Sequence, residues 1–372
     1  MRILRATFTI LTLCGCLRPS SWTSPYKRIL YNVYSSFLFL TTHALLFSQI
    51  LDVVLNVKNQ DEFSDNIYMT LAIFISCYKM CNFLYNRKKV AFLIDTLQKE
   101  PFVPMNAQEV VIRRRCERIA TRNTIAYTTL VECCVLCMWI TSFIRDFGLK
   151  QLTYRAWLPY DYTSSSLAFT VTFAHQIAGL TIGSFLNVAY DTLYSGMLLH
   201  TYYQLEVLEH RLKNVMEDEK YSVKQCAHHH HRILQFATIV HETFKTIACA
   251  QFLVSTSIVC FNLYRLTQTD LGARLAETVL YAFCMLTEIF YYCWYGNEVR
   301  LKSLEIPDMI IKSDWISLDV GSRKILLMIM KRATVSIEFT SIHVVSMNLE
   351  SFMTLLKTSY TAYNVLQQGQ TK

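Results

Sequence analysis

Seven stretches of this chain stay apolar long enough to cross a bilayer: 29–55, 67–85, 124–144, 167–199, 236–264, 275–295 and 345–366. A helix needs roughly 20 such residues to traverse about 30 Å of hydrocarbon. Backbone in lipid must satisfy its own polar groups, which leaves only helices and closed barrels. Barrel strands alternate apolar and polar over about ten residues, and these runs do not. With 52% hydrophobic and only 17% charged residues, the chain departs from a soluble domain, which carries roughly 25% charged residues. Nine glycines and six prolines in 372 residues also exclude collagen-like, linker-rich and disordered chains. The expected fold is all-α, a polytopic membrane protein with seven transmembrane helices.

Several spans carry charge. Lys79, Glu132, Asp191, Glu288, Glu350 and Lys357 are each costly against lipid, so each is expected to face the bundle, water or the interface. Leaving out the last, most polar segment would give six spans.

Loop charge orients the helices. Residues 1–28 hold Arg2, Arg5, Arg18, Lys27 and Arg28 and no acid, the 87–122 connection holds nine basic residues, and 300–332 is basic as well. By the positive-inside rule these segments are cytoplasmic. The acidic Asp61, Glu62 and Asp65, the loop around Trp157 and the loop around Asp270 then fall outside. The amino terminus is expected in the cytoplasm and the carboxyl terminus outside, opposite to a G-protein-coupled receptor. The net charge of +8 is accounted for by these inner loops and implies no nucleic-acid partner. Arg113 to Arg115 reads as an anchor at the lipid surface.

The first sixteen residues resemble a short signal peptide, with Arg2 and Arg5 before an apolar run and Cys14-Gly15-Cys16. Cleavage would leave Lys27-Arg28 outside, so an interfacial cytoplasmic helix is the preferred reading. All thirteen cysteines fall in spans or inner segments, leaving none for an external disulfide.

The expected organisation follows. Residues 1–28 form a cytoplasmic segment, 29–199 the first four spans, 200–235 a cytoplasmic helical connection, and 236–299 the fifth and sixth spans. Residues 300–344 form a cytoplasmic anchor helix, and 345–372 the last helix with an extracellular tail. Leu205, Leu208, Leu212 and Val215, then Ile233, Phe236 and Ile239, recur at helical spacing, so the fourth and fifth spans are expected to continue as helices below the membrane.

Catalytic signals are absent. No phosphate-binding glycine loop or Ser/His/Asp arrangement emerges, and His241-Glu242 lacks a second His four residues on. His228 to His231 invite a metal reading, but consecutive helical positions point around the cylinder, so a solvated face is expected and no metal or cofactor.

The last span carries the sharpest pattern. Glu350, Thr354, Lys357, Thr361, Asn364 and Gln368 recur every three or four residues, a polar stripe on a helix that crosses lipid. Two arrangements satisfy it: a water-filled pore lined by this helix from each subunit, or burial in its own bundle with Glu350 paired to Lys357.

At these residues the chain resembles the insect odorant receptors. The resemblance is carried by Tyr292-Cys293-Trp294-Tyr295-Gly296-Asn297-Glu298, Trp315, Lys331-Arg332, Val345-Ser346-Met347-Asn348-Leu349-Glu350-Ser351-Phe352 and the run from Leu356 to Gln367, and more loosely by Asp191 leading into His200 and Gln204-Leu205. One departure is Thr340-Ser341, where many members have a small residue followed by Gly.

The resemblance implies a tetrameric ligand-gated cation channel in the plasma membrane of olfactory sensory neuron dendrites. This chain lacks the long insertion of the shared coreceptor, so it resembles a ligand-tuned subunit that conducts together with coreceptor subunits. The implied pore and gate residues are Tyr360, Tyr363, Asn364 and Gln367. The implied pocket for a small volatile odorant, in the outer half of the bundle, includes Ala72, Ile73, Ser76, Trp139, Phe143, Ile177, Thr181 and Tyr281, with Trp139 offering both a wall and an indole N–H. Membrane lipid, the odorant, coreceptor subunits and permeant cations are thus the expected partners. A gustatory-type homomeric channel is the alternative, and a secondary transporter a more distant one, since no proline lies inside a span.

Overall fold

The apolar runs fold as helices longer than the runs themselves. The computed structural model describes residues 3–19, 21–217, 222–268, 273–341 and 345–370. A short α1 (Arg5–Leu13) is followed by α2 (Pro25–Leu55), α3 (Gln60–Thr96), α4 (Ala107–Ser142), α5 (Ser166–Glu217), α6 (Val223–Gln268), α7 (Ala273–Ile311), α8 (Val320–Ala333) and α9 (Leu349–Gln370). Pro25 sits in the first turn of α2, where its missing N–H leaves no bond unmade. Asn106 caps α4 by accepting the Glu109 N–H at 2.8 Å, while the Glu109 carboxylate accepts the Met105 N–H. Asp319 caps α8, and hydrogen bonds from Ser322 and Gly321 hold its carboxyl below the usual carboxylate range.

Among the described residues, α2 to α6 each contain an 18-residue window as apolar as a membrane span. Helix α5, with 52 residues, is about 78 Å long at 1.5 Å per residue. It therefore passes well beyond the hydrocarbon, and so does α6. The projecting halves form a helical module at the end of the molecule that carries the basic connections. Leu205, Leu208 and Leu212 of α5, Ile233 of α6, Ile306 and Ile310 of α7 and Leu326 and Ile329 of α8 are buried together there. The connection at 218–221 and the loop around Asp270 lie outside the described residues.

A buried polar knot fixes this module. Arg211 donates to both carboxylate oxygens of Glu109, at 3.0 and 2.8 Å, and to the Pro101 and Val103 carbonyls at 2.8 and 3.1 Å. The α3–α4 connection is thereby held against α5. His229 completes the knot: its Nδ1 accepts from Arg211 at 3.2 Å and its Nε2 donates to the Gln204 side chain at 3.0 Å. The solvated reading of the histidine run thus holds for His228 and His231, which are exposed, and fails for His229 and His230, which are buried. Helix α6 is packed on more than one side here, so two adjacent positions both point inward. Replacing Arg211 with lysine keeps the charge but loses the planar fork. We expect about 1–2 kcal/mol of lost stability, read as a melting temperature a few degrees lower in the purified protein.

Helix α1 is two-faced. Thr7 and Leu11 are buried and the helix packs against α4 and α5, while Arg5, Thr9 and Leu13 stay exposed. Thr7 is fully buried, bonding to Thr124 and Thr192 at 3.2 Å, which removes the cost of carrying a hydroxyl inside. Gly196 makes the room: a Cβ there would stand 2.6 Å from Leu4 Cδ2. Thr340 and Ser341 pair antiparallel with Val345 and Ser346, forming the strands β1 (Thr340–Ser341) and β2 (Val345–Ser346) just before α9. Ser341 hydroxyl accepts the Val345 N–H at 3.2 Å, so the departure noted at Thr340-Ser341 is accommodated by strand pairing.

Candidate functional site

Three of the charged spanning residues find one another in the middle of the bundle. Lys79 of α3 donates to Asp191 of α5 at 2.6 Å and to Glu288 of α7 at 2.7 Å, and the Tyr292 hydroxyl donates to the same Asp191 oxygen at 2.5 Å. All four are buried; the ammonium that hydrocarbon would penalise has two carboxylate partners, while the second Asp191 oxygen makes no hydrogen bond. Glu132, half-buried, accepts from Ser184 at 3.0 Å.

Beyond this cluster, at the end opposite the basic connections, lies a second apolar core. Tyr68, Met69, Ala72 and Ile73 of α3, Cys134, Val135 and Met138 of α4, Leu180 of α5 and Tyr281 of α7 are buried in it, with Trp139 packed against it. Of the pocket candidates, Ala72, Ile73, Trp139 and Tyr281 are therefore brought together. Ser76 borders them, accepting from Asn187 at 2.6 Å. Ile177 and Thr181 are half-buried on α5, with the Thr181 hydroxyl donating to the Ile177 carbonyl. Phe143 is not brought in: it is 58% exposed and stacks on Phe147 at 4.9 Å, where α4 ends in a wider turn, Phe143–Phe147.

The long connection between α4 and α5 folds back over this core. Gln176 of α5 clamps Tyr154, donating to its carbonyl at 2.8 Å and accepting its N–H at 3.4 Å. Trp157 N–H donates to the Ser48 carbonyl at 2.9 Å, and Arg155 pairs with Asp52 and Glu62. Tyr154 hydroxyl reaches Met138 Sδ at 3.5 Å. Tyr154, Tyr68 and Met138 were not among the candidates, because a loop residue or a run of aromatics in a span carries no sign of which way it will fold.

Some of the buried polar atoms without partners lie in this region, others being spread over the molecule, among them His200 Nε2 and Gln251 Oε1. The indole Nε1 of Trp139, the Tyr281 hydroxyl, one carboxylate oxygen of Glu277 and the Asn187 carbonyl oxygen are sealed from solvent and make no hydrogen bond. Such groups are rare in a finished core, and a site lined by apolar rings with a few convergent polar groups suits a small, mostly apolar ligand.

Helix α9 presents a different surface. Its inner face docks on α6 and α7 through buried Leu355, through Phe352 against Phe290 at 5.7 Å, and through the Ser359 hydroxyl donating to the Thr256 carbonyl at 3.4 Å. Glu350, Thr354, Lys357, Thr361 and Tyr360 are exposed on the other side. Among the described residues no ion pair joins Glu350 to Lys357, so burial of the stripe in its own bundle is not what the chain adopts. Tyr363 and Asn364 are half-buried, with the Tyr360 and Tyr363 rings 6.0 Å apart. The Gln367 side chain lies outside the described residues.

This arrangement recurs in known proteins. A solved structure, the insect olfactory receptor OR5 from Machilis hrabei in complex with eugenol, superposes with a TM-score of 0.88 over 98% of this chain and 97% of its own, at 18% identity. Odorant receptor Or1 of Anopheles gambiae is 23% identical over 370 residues, covering 90% of this chain and 86% of that relative. Odorant receptor 46a, isoform A, of Drosophila melanogaster is 23% identical over 329 residues, covering 86% of each. The family described as 7tm Odorant receptor matches residues 59–360. With the seven-transmembrane all-α fold and a sequence match over most of its length, the chain belongs to the insect odorant receptor family.

Proposed function

We propose that this chain is the ligand-tuned subunit of a ligand-gated, non-selective cation channel, assembled as a tetramer with coreceptor subunits in the plasma membrane of olfactory sensory neuron dendrites. The observation that carries the reading is the polar stripe of α9, which its own subunit leaves exposed from Glu350 to Thr361 in a helix of membrane-crossing length. Such a stripe must meet water or another protein, and one α9 from each subunit around a central pore provides the water. Tyr360, Tyr363, Asn364 and Gln367 then form the narrow part near the carboxyl end, with the amino terminus in the cytoplasm and the carboxyl terminus outside. The odorant occupies the aromatic core around Ala72, Ile73, Ser76, Trp139, Ile177, Thr181 and Tyr281. Opening follows because a ligand that binds the open arrangement more tightly shifts the population towards it.

Whole-cell recording under an odorant panel, with G-protein signalling blocked, tests the assembly. Fast cation current is expected in cells expressing this chain with a coreceptor and not with the chain alone. Equal current from the chain alone would favour a homomeric channel, and silence in both at normal surface delivery would reject the channel reading. Lys357→Glu tests the pore. Reversing an exposed charge beside the permeation path concentrates cations there, so single-channel conductance is expected to rise, on the order of twofold. An unchanged conductance would place Lys357 away from the pore.

A further inference from the structure

Three unpartnered polar atoms at the tyrosine-rich core share a hydrogen-bonding inventory that limits what can bind there. Tyr281 and Glu277 lie four residues apart on α7 and so occupy one face of it. The Tyr281 hydroxyl and one Glu277 carboxylate oxygen are both sealed from solvent without a partner. Helix α4 packs against α7 and supplies the third atom, the indole Nε1 of Trp139, also sealed and unpartnered. The Tyr281 ring is more than nine-tenths buried and meets Tyr68 edge to face at 5.8 Å. Tyr154 of the overlying connection, its hydroxyl 3.5 Å from Met138 Sδ, and Trp139 pack against the same core that buries Tyr68 and Tyr281.

The chemistry is then a matter of counting. The indole and the phenol each have a proton to donate, and the Glu277 oxygen needs one to accept. An ether, ester or ketone accepts but cannot serve Glu277. An ammonium donates but leaves the indole unmatched, and a hydrocarbon serves none of the three. A hydroxyl donates once and accepts twice, which matches all three atoms together. We infer that the ligand of this receptor is a small molecule with an apolar body and a single hydroxyl group, an alcohol or a phenol. Its oxygen accepts from Trp139 and Tyr281, its proton goes to Glu277, and its body lies among Tyr68, Met138, Tyr154 and Ile73. This inference rests on the reading of the aromatic core as the ligand site.

The test uses the full chain with its coreceptor and matched triplets on phenyl, linear and terpene skeletons, each as hydroxyl compound, methyl ether and hydrocarbon. The hydroxyl member of the best skeleton is expected to be more potent than its ether by on the order of tenfold or more, since a site built around a hydroxyl leaves polar groups unmatched by an analogue without one. Trp139→Phe and Tyr281→Phe keep the ring volume and are expected to narrow that ratio, as is Glu277→Met. Ethers or hydrocarbons that equal the hydroxyl compounds, with potency still altered by Trp139→Phe, would overturn the hydroxyl and leave the ligand site standing. A hydroxyl preference that none of the three substitutions changes would overturn the assignment to these residues. No current with any triplet, together with no thermal stabilisation of the purified protein by any of them, would overturn the ligand site itself and this inference with it.

Discussion

Lys79→Met is expected to remove most folded protein from the cell surface. Methionine fills the same elongated space, so packing changes little. What remains is Asp191 and Glu288, both buried and brought together by the same ammonium, which sits 2.6 Å from one and 2.7 Å from the other. Removing one side of a buried ion cluster typically costs about 3–5 kcal/mol, because the surviving charges stay desolvated without their partner. That is a large part of the usual margin of stability, roughly 5–15 kcal/mol. Surface labelling and the melting temperature of the purified protein measure the loss. The combined variant Lys79→Met, Asp191→Asn, Glu288→Gln is the informative control, since whole buried ion clusters can often be replaced by neutral groups at little cost. Recovery in the triple variant would show that the charge imbalance is what unfolds the single one. A single variant as stable as the parent would mean that the three residues do not share charge.

Gly296→Ala is expected to be nearly as damaging, for a steric reason. A Cβ built on Gly296 would stand 2.3 Å from the Met347 carbonyl oxygen and 2.6 Å from Met347 Cβ. The oxygen belongs to backbone, which cannot swing aside as a side-chain tip can. Met347 is itself buried, and its N–H is bonded to the Phe339 carbonyl at 2.8 Å. The segment leading into α9 is therefore held from the other side as well. Overpacking of this kind costs about 1–3 kcal/mol or more, and relief requires α9 to move away from α7. Under the gating through α9 that we propose, the same shift is expected to abolish ligand-evoked current even in molecules that reach the surface. Normal current from Gly296→Ala would mean that this close approach is absent in the functioning receptor. Gly196→Ala offers a comparison, because the atom it meets is the end of a leucine side chain, Leu4 Cδ2 at 2.6 Å, and a milder effect is expected.

The parts of the molecule differ in how plainly the sequence announces them. The polar stripe from Glu350 to Thr361 was legible because one helix carries it and three- and four-residue spacing places those side chains on one side. The ion cluster was legible only as a debt: Lys79, Asp191 and Glu288 each needed a partner, but nothing local joins residues 112 and 209 positions apart. At the candidate ligand site, Trp139 and Tyr281 were readable as large amphipathic rings at a suitable depth. Phe143 was equally plausible by depth, and the widening turn at the end of α4 sends it outward. Tyr154 and Glu277 gave no sign, since one depends on a loop folding back and the other on the rotation of α7. The histidine run shows the same limit, with its four members divided between solvent and a polar knot.

What the sequence by itself determined is the solvent, the secondary structure and the succession of spans, because crossing hydrocarbon depends on the length and polarity of one continuous segment. Only the tertiary structure decided which charges neutralise one another, which polar atoms are left without partners, and that the stripe on α9 faces away from its own subunit. Those outcomes depend on the rotation and depth of each helix against its neighbours, and these are set by packing among residues far apart in the chain.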